Sequence, residues 1–293
     1  LRFNRTAPAL LEQEEGTLTL RDYLQAEGYS PALSERYIVP MASALWSADP
    51  RTVLDFPAHY FIRFFENHGF FRLQGRPEWL VIQGGSQRYV ERLTAPFRDR
   101  IRTRTPVLSL RRDDEGVLVE TAAHGAERFD AAILGMHSDQ ALRVLADPSR
   151  EESEVLGAIP YQPNEAVLHT DTSLLPDRPR AWASWNYRIP GEPSKGAAVT
   201  YNMNMLQGLT SAQTYCVTLN QTERIDPDRI IRRIRYHHPL YTLDAPSAQE
   251  RWRELLAVRR TSFCGAWCGN GFHEDGVNSA LDVCRALGVE LEP

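Results

Sequence analysis

The sequence predicts an α/β fold joined to an α+β part, and three features indicate it. The first 80 residues carry apolar side chains at helical spacing. Residues 129–135 form a nearly continuous apolar run, which is typical of a strand in a sheet covered on both faces. Residues 263–287 have the pattern of a strand end, a glycine-rich loop and a helix. Short candidate strands between residues 160 and 221 predict an additional antiparallel sheet.

The composition is ordinary for a soluble globular protein and excludes some partners. Of 293 residues, 42% are hydrophobic and 24% charged, and the net charge of −5 argues against a nucleic-acid partner. Four cysteines without a signal peptide predict reduced thiols in the cytoplasm. No apolar run approaches the ~20 residues of a membrane span. Lys195 is the one lysine available for catalysis, and the start at Leu1 instead of Met leads us to expect a fragment.

Aromatic side chains dominate one predicted helix near the N-terminus. In the segment 59–71, Phe61, Phe64, Phe65 and His68 recur at helical spacing. One interpretation is a helix of the protein core. The other is the wall of a long apolar pocket or a face that touches lipid.

The middle of the chain alternates turn signals with apolar runs. Gly84 and Gly85 precede a helix that extends to about Phe97, and Asp113-Asp114-Glu115-Gly116 predicts a hairpin turn. Ser138 or Asp139 is expected to cap a helix over 140–146. Asp226 is expected to cap another helix that extends to about Tyr236. Candidate strands are 106–110, 117–121, 129–135, 166–170, 181–187, 197–203 and 215–220.

The C-terminal loop carries Gly265, Gly269, Gly271 and Gly276 before a helix that ends at Gly288. Glycines at this place let the backbone approach a ligand, and the first turn of a helix favours negative charge. The pattern suits a phosphate, or an electron-poor ring that becomes anionic on reduction. Two alternatives are a plain strand–helix turn and a metal site.

The metal alternative is the weaker of the two. Cys264, Cys268 and His273 offer soft ligands, but the cysteine spacing differs from that of the common zinc sites. The sequence has no C-x-x-C motif and no G-x-S-x-G motif. We therefore expect no metal and no hydrolase chemistry of that type.

Seven motifs extend along nearly the whole chain. They are LRFNRTAPALLE (1–12), YIVPMASALWSADP (37–50), FPAHYFIRFFENHG (56–69), GGSQRYVERL (84–93), YQPNEAVLHTD (161–171), AWASWNY (181–187) and FCGAWCGNGFHEDGVNSA (263–280). Together they resemble the superfamily of FAD-dependent amine oxidases and phytoene desaturases. The chain is most similar to a bacterial subgroup described as predicted NAD/FAD-binding or FAD-dependent amine oxidoreductase proteins.

The resemblance implies an FAD/NAD(P)-binding Rossmann-like domain that is interleaved with a substrate domain made of helices and an antiparallel sheet. The expected division is a helical substrate region over 1–80, part of the FAD domain over 81–150, the substrate sheet over 151–245 and the C-terminal FAD segment over 246–293. The resemblance places cofactor-binding positions at Val107, Gly135, Gly265, Ala266, Asp275, Gly276, Val277 and Ser279.

The chain departs from the family pattern in three respects. It has no G-x-G-x-x-G motif, so the Rossmann-like domain is expected to be incomplete at its N-terminus. Ala266 stands where many relatives have an acidic residue, which weakens that contact. The lysine that some amine oxidases have near the flavin has no obvious counterpart, which weakens an amine as the substrate.

The resulting hypothesis is an FAD-dependent oxidoreductase that acts on an apolar, lipid-like substrate and passes electrons to an unknown acceptor. A peripheral contact with a membrane is compatible with this hypothesis. Candidate proton carriers are His68, His169 and His273. The alternative is a catalytically inactive module that binds an apolar ligand without flavin. Candidate pocket residues are Trp46, Phe64, Trp185, Tyr187 and Tyr201, each of which also suits an ordinary core.

Overall fold

The structure, a computed structural model, describes residues 1–14, 16–78, 80–189 and 196–290. The helices are α1 (Arg2–Thr6), α2 (Leu20–Ala26), α3 (Pro31–Leu33), α4 (Val39–Trp46), α5 (Ala58–Asn67), α6 (Gln87–Thr94), α7 (Ser138–Val144), α8 (Arg150–Gly157), α9 (Met203–Gln207), α10 (Ala245–Arg251) and α11 (His273–Ala286). The strands are β1 (Val107–Asp113), β2 (Gly116–Thr121), β3 (Gly125–Phe129), β4 (Ala132–Gly135), β5 (Tyr161–His169), β6 (Trp185–Tyr187), β7 (Val199–Asn202), β8 (Cys216–Leu219), β9 (Ile230–Pro239) and β10 (Thr261–Cys264).

The chain folds as two compact units, and each is built from two separate segments. Unit 1 comprises Leu1–Asp99 and Gln162–His238, and unit 2 comprises Arg100–Tyr161 and Pro239–Pro293. None of the helices in the described part of the chain combines the length and the apolar character needed to cross a bilayer.

The helical part of unit 1 has an aromatic core. Phe61, Phe64 and Phe65 of α5 are at most 1% exposed, and the rings of Phe61 and Phe65 lie 4.2 Å apart. A helix predicted within the segment 59–71 is therefore present as α5, which ends at Asn67, and it packs as a core helix. Thr19 caps the preceding helix α2, because its hydroxyl accepts the N–H of Asp22 at 3.1 Å.

The other part of unit 1 is a five-stranded sheet in the order β6-β7-β8-β5-β9. Antiparallel pairing joins β6 to β7, β7 to β8 and β8 to β5. The predicted antiparallel sheet is therefore present, and its buried residues Ala166, Val199 and Leu219 pack with Ala44 of α4.

The prediction of a helix that begins at Asp226 is wrong. A short 3-10 turn, Pro227–Arg229, follows Asp226, and the chain then continues as the edge strand β9. Ile230, Ile231 and Ile234 have a spacing that also fits a helix, which explains the error. These β-branched side chains suit a strand, and pairing with β5 decides the outcome.

Unit 2 contains a three-stranded antiparallel sheet in the order β1-β2-β3. The predicted hairpin turn is confirmed, because Asp113 Oδ1 accepts the N–H groups of Glu115 at 2.9 Å and Gly116 at 3.0 Å. The adjacent Arg128 guanidinium lowers the pKa of the Asp113 carboxyl. Asp113 therefore remains a charged acceptor at this turn over most of the pH range.

The run 129–135 does not form the single buried strand that we predict from its sequence. Phe129 ends β3, and β4 begins at Ala132 and pairs in parallel with β10. The chain changes sheets at Asp130, and Ile133 of β4 is 51% exposed. A continuous apolar run therefore indicated strand structure correctly but did not indicate coverage on both faces.

A buried ion cluster connects the two sheets of unit 2. The guanidinium of Arg112 on β1 contacts both carboxylate oxygens of Glu152, at 2.5 and 2.9 Å, and donates to Thr261 Oγ1 at 3.0 Å. The side chains of Arg112 and Glu152 are 2% and 3% exposed. Loss of either partner would remove the closest counter-charge of a buried group and leave only Asp147 beside Arg112, or Arg259 beside Glu152.

Substitution Arg112→Ala should lower the free energy of unfolding of the protein by about 3–5 kcal/mol, because the buried Glu152 carboxylate loses its bidentate partner and keeps only a longer contact with Arg259, at 3.8 Å. Urea unfolding followed by circular dichroism measures this change. The matched control is Arg150→Ala, which breaks the exposed pair with Glu154 and should change stability by less than about 1 kcal/mol. Equal effects of the two substitutions would contradict a structural role for the buried cluster.

Candidate functional site

Two parallel strands of unit 2 reach the same edge and are each ended by a glycine. Gly135 of β4 pairs with Cys264, the last residue of β10, and Gly265 follows directly. A Cβ atom on Gly135 would lie 3.6 Å from Cys264 Sγ, and the residue is exposed. Ligands of open α/β sheets bind at the carboxyl ends of parallel strands. This edge is therefore the candidate site.

Trp267 joins the two strand ends. Its indole Nε1 donates to the carbonyl oxygen of Met136 at 3.1 Å, and the side chain is buried. A Cβ atom on Gly265 would lie 2.8 Å from this indole and 3.1 Å from the Met136 oxygen. Gly265 is therefore required by the close approach of Trp267. Inspection of the sequence missed Trp267, although its position between two glycines and two cysteines could have marked it.

Two loop glycines make room for protein side chains. The Asp275 side chain occupies the space that a Cβ atom on Gly269 would need, and a Cβ atom on Gly271 would lie 2.7 Å from Tyr241 Oη. Gly271 also has a φ of 92°, which favours glycine. Internal packing thus explains Gly269 and Gly271, so the interpretation of this loop as ligand-contacting backbone applies to part of it only.

The first turn of α11 lies beside the strand ends. The Asp275 carboxylate accepts the N–H of Phe272 at 2.9 Å and so caps the helix. A Cβ atom on Gly276 would lie 3.7 Å from the backbone nitrogen of Ala266. Val277 is 48% exposed. This part of the helix brings backbone close to the strand ends and leaves Val277 accessible to a ligand.

All eight positions that the family resemblance gives for the cofactor lie in unit 2. Val107 is the first residue of β1 and is half-buried. Gly135, Gly265 and Ala266 lie at the strand ends, while Asp275, Gly276, Val277 and Ser279 lie on α11. Ser138, a predicted cap, is instead the first residue of α7, and its N–H donates to Tyr161 Oη at 3.0 Å.

The predicted pocket residues lie in unit 1 and have two kinds of environment. Trp46 and Phe64 are at most 5% exposed, and their rings lie 4.9 Å apart in the helical core. Trp185, Tyr187 and Tyr201 are half-buried on β6 and β7 and pack against the apolar cluster of the sheet. Burial raises the pKa of Tyr201 to about 12. Tyr201 therefore stays neutral at physiological pH.

His169 lies in the interior of unit 1 and is fully buried. Its Nδ1 accepts the N–H of Asp171 at 3.1 Å, so the proton is on Nε2, which donates to Thr218 Oγ1 at 2.7 Å. Thr218 in turn bonds to Thr200 at 2.9 Å. Burial lowers the pKa of His169, although the charge of Asp171 opposes this. These contacts join β5, β8 and β7.

The other two candidate proton carriers, His68 and His273, lie closer to the surface. His68 is half-buried at the end of α5, stacks on Phe64 at 3.9 Å and donates from Nδ1 to the Phe64 carbonyl at 2.8 Å. His273 is exposed and begins α11. The assignment of a proton-transfer role to any of the three histidines stays a prediction.

No group of three or more metal-ligating side chains is present among the described residues. Cys264 and Cys268 are free thiols, and burial raises the pKa of Cys264 and raises that of Cys268 to about 12. Both are therefore neutral and unreactive at physiological pH. Lys195, the candidate catalytic lysine, lies outside the described residues.

Solved structures with a similar fold are enzymes. A conjugated-linoleic-acid-producing fatty acid isomerase from P. acnes has a TM-score of 0.65 and 14% identity, over 93% of this chain and 67% of that chain. A triple mutant of putrescine oxidase has a TM-score of 0.66 and 12% identity, over 98% and 73%. Cyclohexylamine oxidase from Brevibacterium oxydans IH-35A has a TM-score of 0.59 and 12% identity, over 97% and 68%. Comparison with curated proteins gave no match.

The similar structures and the glycine-ended strand edge thus define the class of fold, an α/β unit whose ligands bind at the carboxyl ends of parallel strands. The sequence model of the flavin containing amine oxidoreductases matches residues 13–288. The chain therefore belongs to the family of flavin containing amine oxidoreductases, and its cofactor is FAD. The family predicted from the motifs is confirmed.

The side chains at the edge are compatible with a planar ring beside α11. Gly135 and Val277 are exposed, and a Cβ atom on Gly276 would find ordinary contact distances. The residues suited to FAD are the main chain of Gly135 and Gly265 and the first turn of α11. They account for part of a dinucleotide site, because the 293 residues contain no G-x-G-x-x-G motif.

The buried His169 should make the protein less stable in acid. The ordinary pKa of histidine is 6.5, and burial lowers that of His169 in the folded state. Below about pH 6.5 the unfolded chain therefore takes up a proton that the folded chain does not, and the free energy of unfolding falls by at most about 1.4 kcal/mol per pH unit.

Substitution His169→Gln should make this dependence on pH shallower, as measured by urea unfolding between pH 5 and 7.5. The matched control is His124→Gln, at an exposed position after β2, which should keep the wild-type slope. A wild-type slope in His169→Gln would contradict the assignment of a neutral buried imidazole.

Proposed function

We propose that the chain is an FAD-dependent oxidoreductase that acts on an apolar, lipid-like substrate. The observation that carries the cofactor part is the shared edge at which β4 and β10 end in Gly135 and Gly265. Bound FAD would supply the chemistry by accepting a hydride or its equivalent from a C–H bond. The protein would bind and orient the reactants and exclude water.

Main-chain groups would do most of the cofactor binding. The exposed Gly135 would allow the end of β4 to approach FAD, and the main chain of Gly265 would lie beside it. The positive end of the α11 dipole would favour the pyrimidine edge of the ring. Negative charge on reduced flavin is favoured there. Ala266 has no polar side chain, so it could form a van der Waals contact with FAD but no side-chain hydrogen bond. Val107 would contact the adenine through its backbone.

The remainder of the dinucleotide site would come from outside the 293 residues. The sequence contains no G-x-G-x-x-G motif to hold the pyrophosphate. Support comes from β4, where Ile133 is 51% exposed and Gly135 is exposed, whereas all four residues of β10 are buried. A strand–G-x-G-x-x-G–helix segment beside β4 would cover this surface.

The apolar substrate is supported by the sheet face of unit 1. Trp185 and Tyr201 pair across β6 and β7 with their rings 5.6 Å apart, edge to face. Tyr187 packs on the same cluster. Half-buried aromatic side chains offer apolar area, which suits a hydrocarbon chain. A neighbour in fold, the enzyme from P. acnes, is by its name a fatty acid isomerase.

Flavin binding tests the cofactor part of the proposal. The chain should be titrated with FAD and followed by flavin fluorescence, both as printed and within the longest open reading frame that contains it. Substitution Val277→Asp should weaken binding at least about tenfold, because it adds negative charge at the predicted pyrimidine edge.

The matched control is Val289→Asp, which places the same charge at another exposed valine beyond the end of α11. It should leave FAD affinity unchanged. A protein that stays colourless in both forms would support the flavin-free binding module instead. Equal affinity of the wild type and Val277→Asp would contradict the position that we propose for the ring.

Binding of a fatty acid tests the substrate part. Oleate should quench the intrinsic fluorescence of the protein, and Trp185→Ala should weaken oleate binding about tenfold, because an aromatic contact surface is lost. Isothermal titration calorimetry measures the affinity independently of the tryptophan. The control is Trp182→Ala, whose indole donates to the Pro176 carbonyl at 2.8 Å and is not a member of the apolar cluster. Equal oleate affinity in the two variants would contradict the proposed face.

A further inference from the structure

Ser279 makes a buried polar contact between β10 and α11. Its side chain is 2% exposed, and its Oγ accepts the N–H of Gly265 at 3.0 Å. The same oxygen lies 2.8 Å from the carbonyl oxygen of Gly276 and 3.3 Å from that of Gly265. A hydroxyl has one proton, and the shorter distance favours its donation to Gly276. One side chain therefore bonds to both glycines.

These contacts argue against a direct contact of Ser279 with FAD. The hydroxyl uses its proton and an acceptor site within the protein, and the side chain is inaccessible to solvent. The two groups that it holds are the main chain of Gly265, at the strand end, and that of Gly276, in the first turn of α11. Both are positions at which we propose that backbone faces the cofactor.

We propose that Ser279 is a positioning residue that fixes the distance between the Gly265 amide and the first turn of α11. This inference rests on the proposed function, since it concerns the two backbone segments that would face FAD. Removal of the hydroxyl leaves the N–H of the half-buried Gly265 without its acceptor, and the strand end and the helix can then move apart. We expect FAD to bind more weakly and in a less fixed orientation.

The test compares Ser279→Ala, Ser279→Thr and the wild type in the form that binds FAD. Ser279→Ala should weaken FAD binding about tenfold, because the Gly265 N–H loses its acceptor and the strand end is no longer held to α11. Ser279→Thr keeps a hydroxyl and should stay within about threefold of the wild type. Hydrogen exchange of the Gly265 amide, followed by NMR without FAD, should become faster in Ser279→Ala and stay slow in Ser279→Thr.

Ser262→Ala is the matched control. Ser262 lies on β10 and is 1% exposed. Its hydroxyl accepts the N–H of Ala257 at 2.8 Å, at the turn that precedes β10. This variant loses a comparable buried bond at the other end of the strand and should keep wild-type FAD affinity. A general loss of stability would weaken FAD binding in both alanine variants, which separates it from positioning.

Three outcomes would overturn the inference. Wild-type FAD affinity in Ser279→Ala would refute the positioning role while leaving the proposed function intact. Equal weakening in Ser262→Ala or in Ser279→Thr would show that the hydroxyl has no specific role. If no form of the wild type binds FAD, the proposed function fails, and the inference fails with it. Exchange of the Gly265 amide would then still report whether Ser279 holds the strand end.

Discussion

The parallel pairing of β4 with β10 is the constraint on which the candidate site depends. These strands lie more than 120 residues apart in the sequence, and their register sets Gly135 beside Cys264. A slip by one residue would turn every side chain of one strand to the opposite face and would separate the two strand-ending glycines. Local sequence can specify each glycine, but only this long-range pairing brings the two to one edge.

Polar contacts hold β10 at both ends. Thr261, its first residue, receives a hydrogen bond from the buried Arg112, whose charge is balanced by Glu152. Gly265, directly after its last residue, donates to Ser279. A four-residue strand has few backbone bonds of its own, so these two end contacts add to the β4–β10 ladder in fixing its position. The Arg112–Thr261 contact and the Gly265–Ser279 contact thus fix the two ends of β10 separately.

The sequence predicted local features better than long-range ones. The turn at Asp113 and the helix that ends before Gly288 were predictable because side-chain capping and glycine conformation act within a few residues. The segment 230–239 was not, since its isoleucines fit both periodicities and the partner strand β5 decides between them. The candidate site at the ends of β4 and β10 was predictable only through resemblance, because its two strands meet through tertiary pairing.

Glycine count alone is a poor guide to a ligand site. Positions 269 and 271 require glycine because Asp275 and Tyr241 occupy the space beside them. The exposed Gly135 has no such neighbour. Ala266 provides no carboxylate at its position, so FAD affinity would depend on main-chain groups. The strength of such contacts depends on the distance between fixed backbone segments, which side-chain flexibility cannot correct. In a site of this kind, a buried residue such as Ser279 that sets this distance would control affinity as strongly as a residue that contacts the cofactor.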